Sequence, residues 1–99
     1  MSDIPPVTDN VTASRFEVTV DGHVAELVYE RDDQRLVIVH TGVPDELEGR
    51  GIGGILVTAA IDDAAKRGLS VVPNCPFARV WLKRHPDVAG RVTIESAHA

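Results

Sequence analysis

The sequence predicts a mixed α+β domain with three antiparallel strands, a helix, a strand, a second helix and a last strand. Two observations carry this prediction. Residues 15–20 alternate polar and apolar side chains and end at Asp21-Gly22, a dipeptide typical of two-residue hairpin turns. Beyond a glycine-rich stretch, the apolar spacing changes from the period of a strand to the period of an amphipathic helix.

Three strands are predicted in the first half of the chain. In the first, residues 15–20, the side chains of Phe16, Val18 and Val20 share one face and should be buried. The second covers about residues 23–30. The third covers residues 36–43, where apolar side chains on both faces indicate a central strand. Pro44 should end it, because proline cannot donate a hydrogen bond to a neighbouring strand.

The longest predicted helix is Ile52–Arg67, and Gly68 should cap its carboxyl end. A short strand at residues 69–72 is expected to follow the helix. The apolar stripe of the helix consists of Ile52, Ile55, Leu56, Ala59, Ala60 and Ala64.

A second, shorter helix is predicted to begin at Pro76, since proline suits the first helical position, and to end at His85-Pro86. A last strand is expected at about residues 91–95. The residues expected on the buried face of this helix are Phe77, Val80 and Trp81.

The length of 99 residues indicates one domain, expected at residues 14–95 between a flexible leader at 1–13 and a frayed tail at 96–99. A formal net charge of -5 without a basic stripe argues against nucleic acid as a partner. The first residues lack the pattern of a secretory signal, and the apolar runs are too short to cross a membrane. We therefore expect a cytoplasmic protein without a membrane partner; the oligomeric state is not indicated.

The glycine-rich stretch lies between the third strand and the first helix. Successive amides at such a junction can bind an anion, aided by the helix dipole, and glycine lets a phosphate approach the backbone closely. The simpler interpretation is that the glycines only cap or pack the helix, although four glycines within residues 49–54 carry a large entropic cost. No Lys-Ser/Thr pair follows them, which excludes a nucleoside-triphosphatase P-loop.

A dinucleotide fingerprint is matched literally by Gly49, Gly51 and Gly54. However, the acidic residue expected after the next strand is missing, since Val72-Pro73-Asn74 stands there. The preceding hairpins are also antiparallel, so this interpretation is rejected.

The stretch Glu48-Gly49-Arg50-Gly51-Ile52-Gly53 resembles the signature Q/R-x-x-G-x-G/A of the GNAT superfamily of acetyltransferases, with Glu48 in place of the usual Gln or Arg. The flanking segments are similar to the small YjdJ-type subgroup of that superfamily, and the resemblance covers about residues 16–88. These segments are His40-Thr41-Gly42-Val43, Asn74-Cys75-Pro76-Phe77-Ala78 and Trp81-Leu82-Lys83-Arg84-His85-Pro86.

The resemblance implies a compact twisted sheet, mainly antiparallel, with two splayed central strands and two main helices. Acetyl-CoA or CoA would lie in the gap, with its pyrophosphate on the glycine loop. The implied activity is transfer of acetyl to an amine of unknown identity, carried by a small molecule or a protein. The residues expected to bind the coenzyme are Thr41, Val43, Glu48, Gly49, Arg50, Gly51, Ile52, Gly53, Gly54, Asn74, Cys75 and Phe77.

The tyrosine that often protonates the departing thiolate in this superfamily is replaced by Leu82, and Tyr29 is a poor substitute on an early strand. This departure leaves open a non-catalytic CoA- or acyl-CoA-binding module that acts as a sensor or interaction partner. For an enzyme, the catalytic candidates are Cys75, expected at a helix N-cap where the dipole favours the thiolate, and His40, whose imidazole could take a proton. No spacing suggests a metal site.

Overall fold

A computed structural model describes residues 4–96 and shows a five-stranded sheet in the order β1-β2-β3-β4-β5, with the helices packed on one face. The predicted mixed α+β class is confirmed. The start of the predicted leader and most of the predicted tail, residues 1–3 and 97–99, lie outside the described part. The elements are β1 (Thr8–Asn10), β2 (Arg15–Val20), β3 (His23–Arg31), β4 (Arg35–Gly42), a 3-10 turn (Asp45–Leu47), α1 (Ile52–Arg67), β5 (Ser70–Pro73), α2 (Pro76–Arg84) and α3 (Pro86–Ala89).

The first four strands pair antiparallel, and only β4 and β5 are parallel. The turn between β2 and β3 uses Asp21 at φ 52° and Gly22 at φ 80°. Two successive residues at positive φ are typical of a type I′ turn, whose twist matches that of a hairpin. The hairpin predicted from this dipeptide is therefore confirmed.

A β-bulge in β4 decides which side chains reach the helical face of the sheet. His40 pairs with Val28 and Ile38 with Tyr29, so Val39 is the additional residue. After the bulge Thr41 pairs with Leu27, which is fully buried under the helices. Thr41 therefore lies on the helical face, whereas His40 lies on the opposite face.

The helix α1 covers the inner face of the sheet and forms the centre of the core. Its bounds match the prediction, and Gly68 ends it at φ 72° with its amide bonded to the carbonyls of Ala64 and Ala65. Ile55 and Ala59 are only half-buried, although the stripe included them. The fully buried side chains from the sheet and α1 include Leu27, Leu36, Ile38, Ile52, Leu56, Val57, Ile61 and Val71.

The predicted buried face of α2 is wrong. Phe77 and Val80 are 43% and 49% exposed, and Trp81 is half-buried, whereas Ala78 and Leu82 face the core. Because Ala78 is small and Leu82 is aliphatic, α2 can pack closely on α1 and the sheet. The aromatic side chains instead project along the start of α1.

Two segments at the ends of the domain also differ from the predictions. The leader was expected to be loose, but Thr8–Asn10 pairs with β2 as an edge strand, and Ile4 and Val7 pack against the core. The last strand is reduced to one parallel bridge between Val71 and Ile94. The division into a leader at 1–13, a domain at 14–95 and a tail at 96–99 stays a prediction, although the described part of the leader packs against the domain. Among the described residues, no helix has both the length and the apolarity to span a membrane.

A partly buried polar network holds β1 against β3 and α1. The Tyr29 hydroxyl donates to Asp9 Oδ1 at 2.6 Å, and Arg31 Nη1 lies 3.0 Å from Asp9 and 2.8 Å from Asp63. Burial and then the Asp9 hydrogen bond raise the pKa of Tyr29 from 10.0 to about 12. These partners explain how the polar Thr8–Asn10 segment is fixed without burying a large apolar side chain.

We expect the unfolding free energy of Tyr29→Phe to fall less at alkaline pH than that of the wild type. Because the folded-state pKa of Tyr29 lies above the unfolded value, its contribution is complete below about pH 10 and is lost as the pH rises through about 12. Across that window the unfolding free energy of the wild type should fall by roughly 2–3 kcal/mol more than that of the variant. Denaturant titrations at several pH values give the unfolding free energy of both proteins. The same change of this free energy with pH in both proteins would contradict the prediction.

Candidate functional site

The parallel strands β4 and β5 separate beside the start of α1. Their pairing ends at Ile38 opposite Pro73, whereas β4 continues to Gly42. At the branch point the carbonyl of Ile38 accepts two bonds, from the amides of Asn74 and Cys75 at 3.0 and 3.1 Å. Beyond it the chain turns into α2, so a wedge-shaped gap opens between β4 and α2.

The glycine loop at one side of this gap leaves its amides free. Gly49 and Gly51 have φ of 82° and 74°, a left-handed conformation that favours glycine. Gly51 is the N-cap of α1, and because it has no side chain it cannot accept a hydrogen bond from the first amides of the helix. In the part of the chain that the structure describes, no protein group accepts a hydrogen bond from the amides of residues 49–54. Free amides at the positive end of a sixteen-residue helix favour an anion.

The other two glycines of the loop have a packing role. A Cβ on Gly53 would lie 2.7 Å from Phe77 Cζ, and a Cβ on Gly54 would lie 2.4 Å from Trp81 Nε1. Any side chain there would therefore collide with the aromatic rings of α2. Packing therefore accounts for Gly53 and Gly54, as the simpler interpretation of the cluster expected, whereas Gly49 and Gly51 shape the loop. Anion binding by the loop stays a prediction.

These elements enclose a cleft of about 400 Å³. Most of the residues predicted to bind the coenzyme line it, while Leu47 and Trp81 line it without having been predicted. Trp81 was assigned to the core, although its position one helical turn after Phe77 could have suggested a shared face. The lining consists of Thr41, Val43, Leu47, Glu48, Gly49, Gly51, Ile52, Gly53, Gly54, Phe77 and Trp81.

The only charged residue in this lining is Glu48, so no basic side chain lies in the wall and the main-chain amides are the groups there that can bind an anion. Arg50 is exposed and directs its Nη1 to Asp21 Oδ2 at 3.1 Å. Asn74 is exposed, and its carbonyl accepts a bond from Arg79. The structure therefore places neither Arg50 nor Asn74 in the wall of the cleft.

Cys75 lies just behind that wall. It is the N-cap of α2 and is buried, with 4% of its surface exposed. Its Sγ donates to Thr41 Oγ1 at 3.6 Å across the gap between the separating strands. Because Thr41 lines the cleft, its hydroxyl connects the thiol with the cleft interior.

The second catalytic candidate, His40, lies on the outer face of the sheet. Its Nε2 lies 3.3 Å from the position that a Cβ on Gly42 would take, and Glu26 approaches the same point. The bulge at Val39 thus brings Thr41, but not His40, into the cleft.

The residue at the expected tyrosine position, Leu82, is buried in the core. Tyr29, the single tyrosine, is bonded to Asp9 and does not line the cleft. A tyrosine hydroxyl is therefore not among the groups that line this site.

The chain thus forms an α+β domain whose mixed sheet divides beside a glycine-rich helix start. The solution NMR structure of a GCN5-like protein from Staphylococcus aureus has this fold, with a TM-score of 0.71 and 27% identity over 99% of this chain and 94% of that one. The chain belongs to the GCN5-related N-acetyltransferase family, whose family model matches residues 15–91.

Relatives of known sequence agree with this assignment. The chain is 35% identical over 75 residues to Protein NATD1 of Mus musculus, covering 73% of this chain and 68% of the relative. It is 36% identical over 75 residues to Protein NATD1 of Gallus gallus, with the same coverage of 73% and 68%. Membership of the small YjdJ-type subgroup stays a prediction.

Proposed function

We propose that the protein is an acetyl-CoA-dependent N-acetyltransferase that transfers acetyl to an amine of a small molecule or a protein. The observation that carries this proposal is the row of free amides at residues 49–54, facing a cleft between separating strands in a chain of this family. A diphosphate is the group that such a row of amides fits best, since each amide can donate a charge-assisted hydrogen bond.

Acetyl-CoA fits the cleft by its chemistry. The glycine loop would hold the pyrophosphate. Thr41 near the end of β4 and Val43 just after it would offer backbone groups to the amides of the pantetheine arm, since β4 has no paired strand on this side beyond Ile38. Phe77 would contact the apolar part of the arm from α2. Holding the thioester in this way makes attack by a bound amine effectively intramolecular. This positioning would supply most of the acceleration of acetyl transfer.

The proton given to the departing thiolate would come through Thr41 and Cys75. The amine nitrogen bonds to the thioester carbonyl carbon as the carbon–sulfur bond breaks. The Thr41 hydroxyl, which accepts a hydrogen bond from the Cys75 thiol, gives its own proton to the thiolate and is resupplied by Cys75. Bulk water then restores the thiol. An acetyl-Cys75 intermediate is the subordinate route, because Cys75 lies behind the cleft wall.

His40 would act on the acceptor side. It faces the outer surface of the sheet, opposite to the face on which the coenzyme would bind. An amine entering the gap from the outer surface would pass His40, which could take the proton that the amine must lose before attack.

We expect Cys75→Ala to lower turnover by about 100-fold while changing the dissociation constant for CoA by less than about threefold, since a general acid typically contributes at least that factor. Cys75→Ser should retain more activity because a hydroxyl can still donate to Thr41. Mass spectrometry after incubation with acetyl-CoA should show no acetyl group on Cys75 in the wild type. Unchanged turnover in Cys75→Ala would contradict the relay.

The alternative, a non-catalytic CoA-binding module, is favoured by one observation, the burial of Leu82 where the tyrosine is expected. Calorimetry with CoA and acetyl-CoA, combined with release of free thiol in the presence of a panel of amines, separates the two functions. Binding with amine-dependent thiol release supports the enzyme. Binding without release from any amine supports the module, and no binding overturns both.

A further inference from the structure

Another hollow, the α2–α3 groove, lies on the side of α2 that faces away from the cleft. It has a volume of about 490 Å³ and lies between the end of β5, the helices α2 and α3, and residues 94–96. Phe77 and Trp81 of α2 line the cleft. Arg79 and Lys83 line the groove, and each lies two positions further along α2, which is about 200° around the helix. Among the described residues, none lines both the groove and the cleft.

The floor of the α2–α3 groove is apolar. Leu82 borders it from α2, and Ile94, which forms a bridge with β5, borders it with 38% of its surface exposed. An aliphatic side chain that entered the groove would remove apolar surface from water on both binding partners, which favours association. The apolar side chains that line the groove are those of Pro73, Leu82, Pro86, Ala89 and Ile94.

The cations of α2 differ from the other cations of the chain because they lack acidic partners. Each arginine outside α2 forms an ion pair with a carboxylate of a described residue. In the described part of the chain, none of the α2 cations Arg79, Lys83 and Arg84 does so, and Arg79 donates to a backbone carbonyl instead. Glu95, the acid in the groove lining, is paired with Arg35 at 2.9 Å. The groove therefore has uncompensated positive charge, although the net charge of the chain is -5.

We propose that the α2–α3 groove binds an acidic peptide segment of a partner protein. An apolar side chain of the peptide would enter the groove. Carboxylates beside it would pair with Arg79 and Lys83, which lie one helical turn apart on the same face of α2. The inference goes beyond the proposed function and does not depend on it, because the groove and the cleft have separate linings.

Other anionic partners fit this surface less well. Nucleic acids and anionic membranes are bound by broad basic surfaces, and they are repelled by a chain with a net charge of -5. Apart from Lys66, the cations without a carboxylate partner in the described part of the chain are confined to α2. A short basic wall beside an apolar floor instead matches one apolar side chain with acidic neighbours.

Fluorescence anisotropy with labelled peptides tests this inference on the full chain. The probes are peptides with a central leucine, isoleucine or phenylalanine that is flanked on both sides by glutamates. Control peptides carry serine at the centre, or glutamines in place of the glutamates. At least one probe should bind, and both of its control peptides should bind about tenfold more weakly, because they lose either the apolar contact or the charge pairs. If no probe binds, or if the controls bind equally well, the inference is wrong.

Lys83→Glu and Lys66→Glu are the matched pair of variants. Both lysines are exposed, lie in the last turn of their helix and have no carboxylate partner among the described residues, but Lys66 does not line the groove. Lys83→Glu should weaken peptide binding by more than about tenfold, and Lys66→Glu by less than about twofold, since salt screens distant charges. Equal weakening would show that only the net charge matters and would overturn the inference.

Further measurements on the same proteins separate the other occupants. The wild type should bind neither phosphatidylcholine–phosphatidylserine vesicles nor a DNA duplex, and binding of either that Lys83→Glu abolishes would contradict a peptide site. Self-association in sedimentation experiments that Lys83→Glu abolishes would assign the groove to a second copy of the chain. Lys83→Glu should leave CoA binding unchanged, so a failure of the proposed function and a failure of this inference are distinguishable.

Discussion

Gly51→Val should raise the dissociation constant for CoA by more than about 100-fold. Gly51 is the N-cap of α1 at φ 74°, and a Cβ there would meet no protein atom within 4 Å. The side chain would instead enter the space beside the free amides, where the phosphates are expected. Loss of two charge-assisted hydrogen bonds, each worth about 1.5–3 kcal/mol, accounts for the size of the effect.

Gly68→Val is the matched control for this prediction. Gly68 caps the other end of α1 at φ 72°, and a Cβ there also meets nothing within 4 Å. Both variants should therefore lose a similar amount of unfolding free energy, about 1–2 kcal/mol or somewhat more for a branched side chain. Calorimetry and denaturant unfolding should show that only Gly51→Val loses CoA. Retained affinity in Gly51→Val would contradict the placement of the phosphates.

Gly54→Val should lower the free energy of unfolding by about 3 kcal/mol, because the new side chain collides with Trp81 at 2.4 Å from Nε1. Gly54 is a buried residue of α1 that faces the Trp81 ring of α2, so the indole has to move or α2 has to shift. For a domain of this size such a loss is a large fraction of the total stability. Ala65→Val on the exposed side of α1 is the control and should cost only the propensity difference, roughly 0.5 kcal/mol.

A double-mutant cycle with Trp81→Ala shows whether the collision is the cause. In the absence of the indole, Gly54→Val should cost at least about 1.5 kcal/mol less than it does in the wild type. Urea unfolding of the four proteins of the cycle provides the measurement. Strict additivity of the two substitutions would show that Gly54 is needed for another reason.

Local patterns in the sequence were sufficient for most of the fold. Asp21-Gly22 has the backbone conformation that its composition indicates, and α1 begins and ends at the predicted residues because an apolar stripe is followed by Gly68. The glycine loop was also placed correctly between a buried strand and a helix. Each of these features depends on residues close together in the chain.

The features that the sequence did not predict depend on contacts between distant segments. The bulge at Val39 is set by the register of β3 and β4, and it determines that Thr41 rather than His40 reaches the cleft. Which side of α2 is exposed depends on α1, because the rings of Phe77 and Trp81 pack against Gly53 and Gly54 of that helix. A periodicity confined to α2 contains no information on that partner, so the aromatic residues were assigned to the core.

The edge strand β1 illustrates the same limit. Its three residues are polar, and no apolar alternation marks them as a strand. They are ordered by Asp9, which Tyr29 and Arg31 bind from β3, about twenty residues away in the chain. Polar side chains that satisfy a buried hydroxyl and a guanidinium can fix an edge strand without hydrophobic burial.

The central claim is that the main-chain amides of residues 49–54 bind the coenzyme's pyrophosphate. Amide NMR spectra recorded during a CoA titration test it most directly. The largest shifts should belong to Gly49, Gly51, Gly53 and Gly54 and should saturate with the dissociation constant measured by calorimetry. If CoA binds while these four resonances stay in place and amides elsewhere move, the diphosphate lies at another site and the account is wrong.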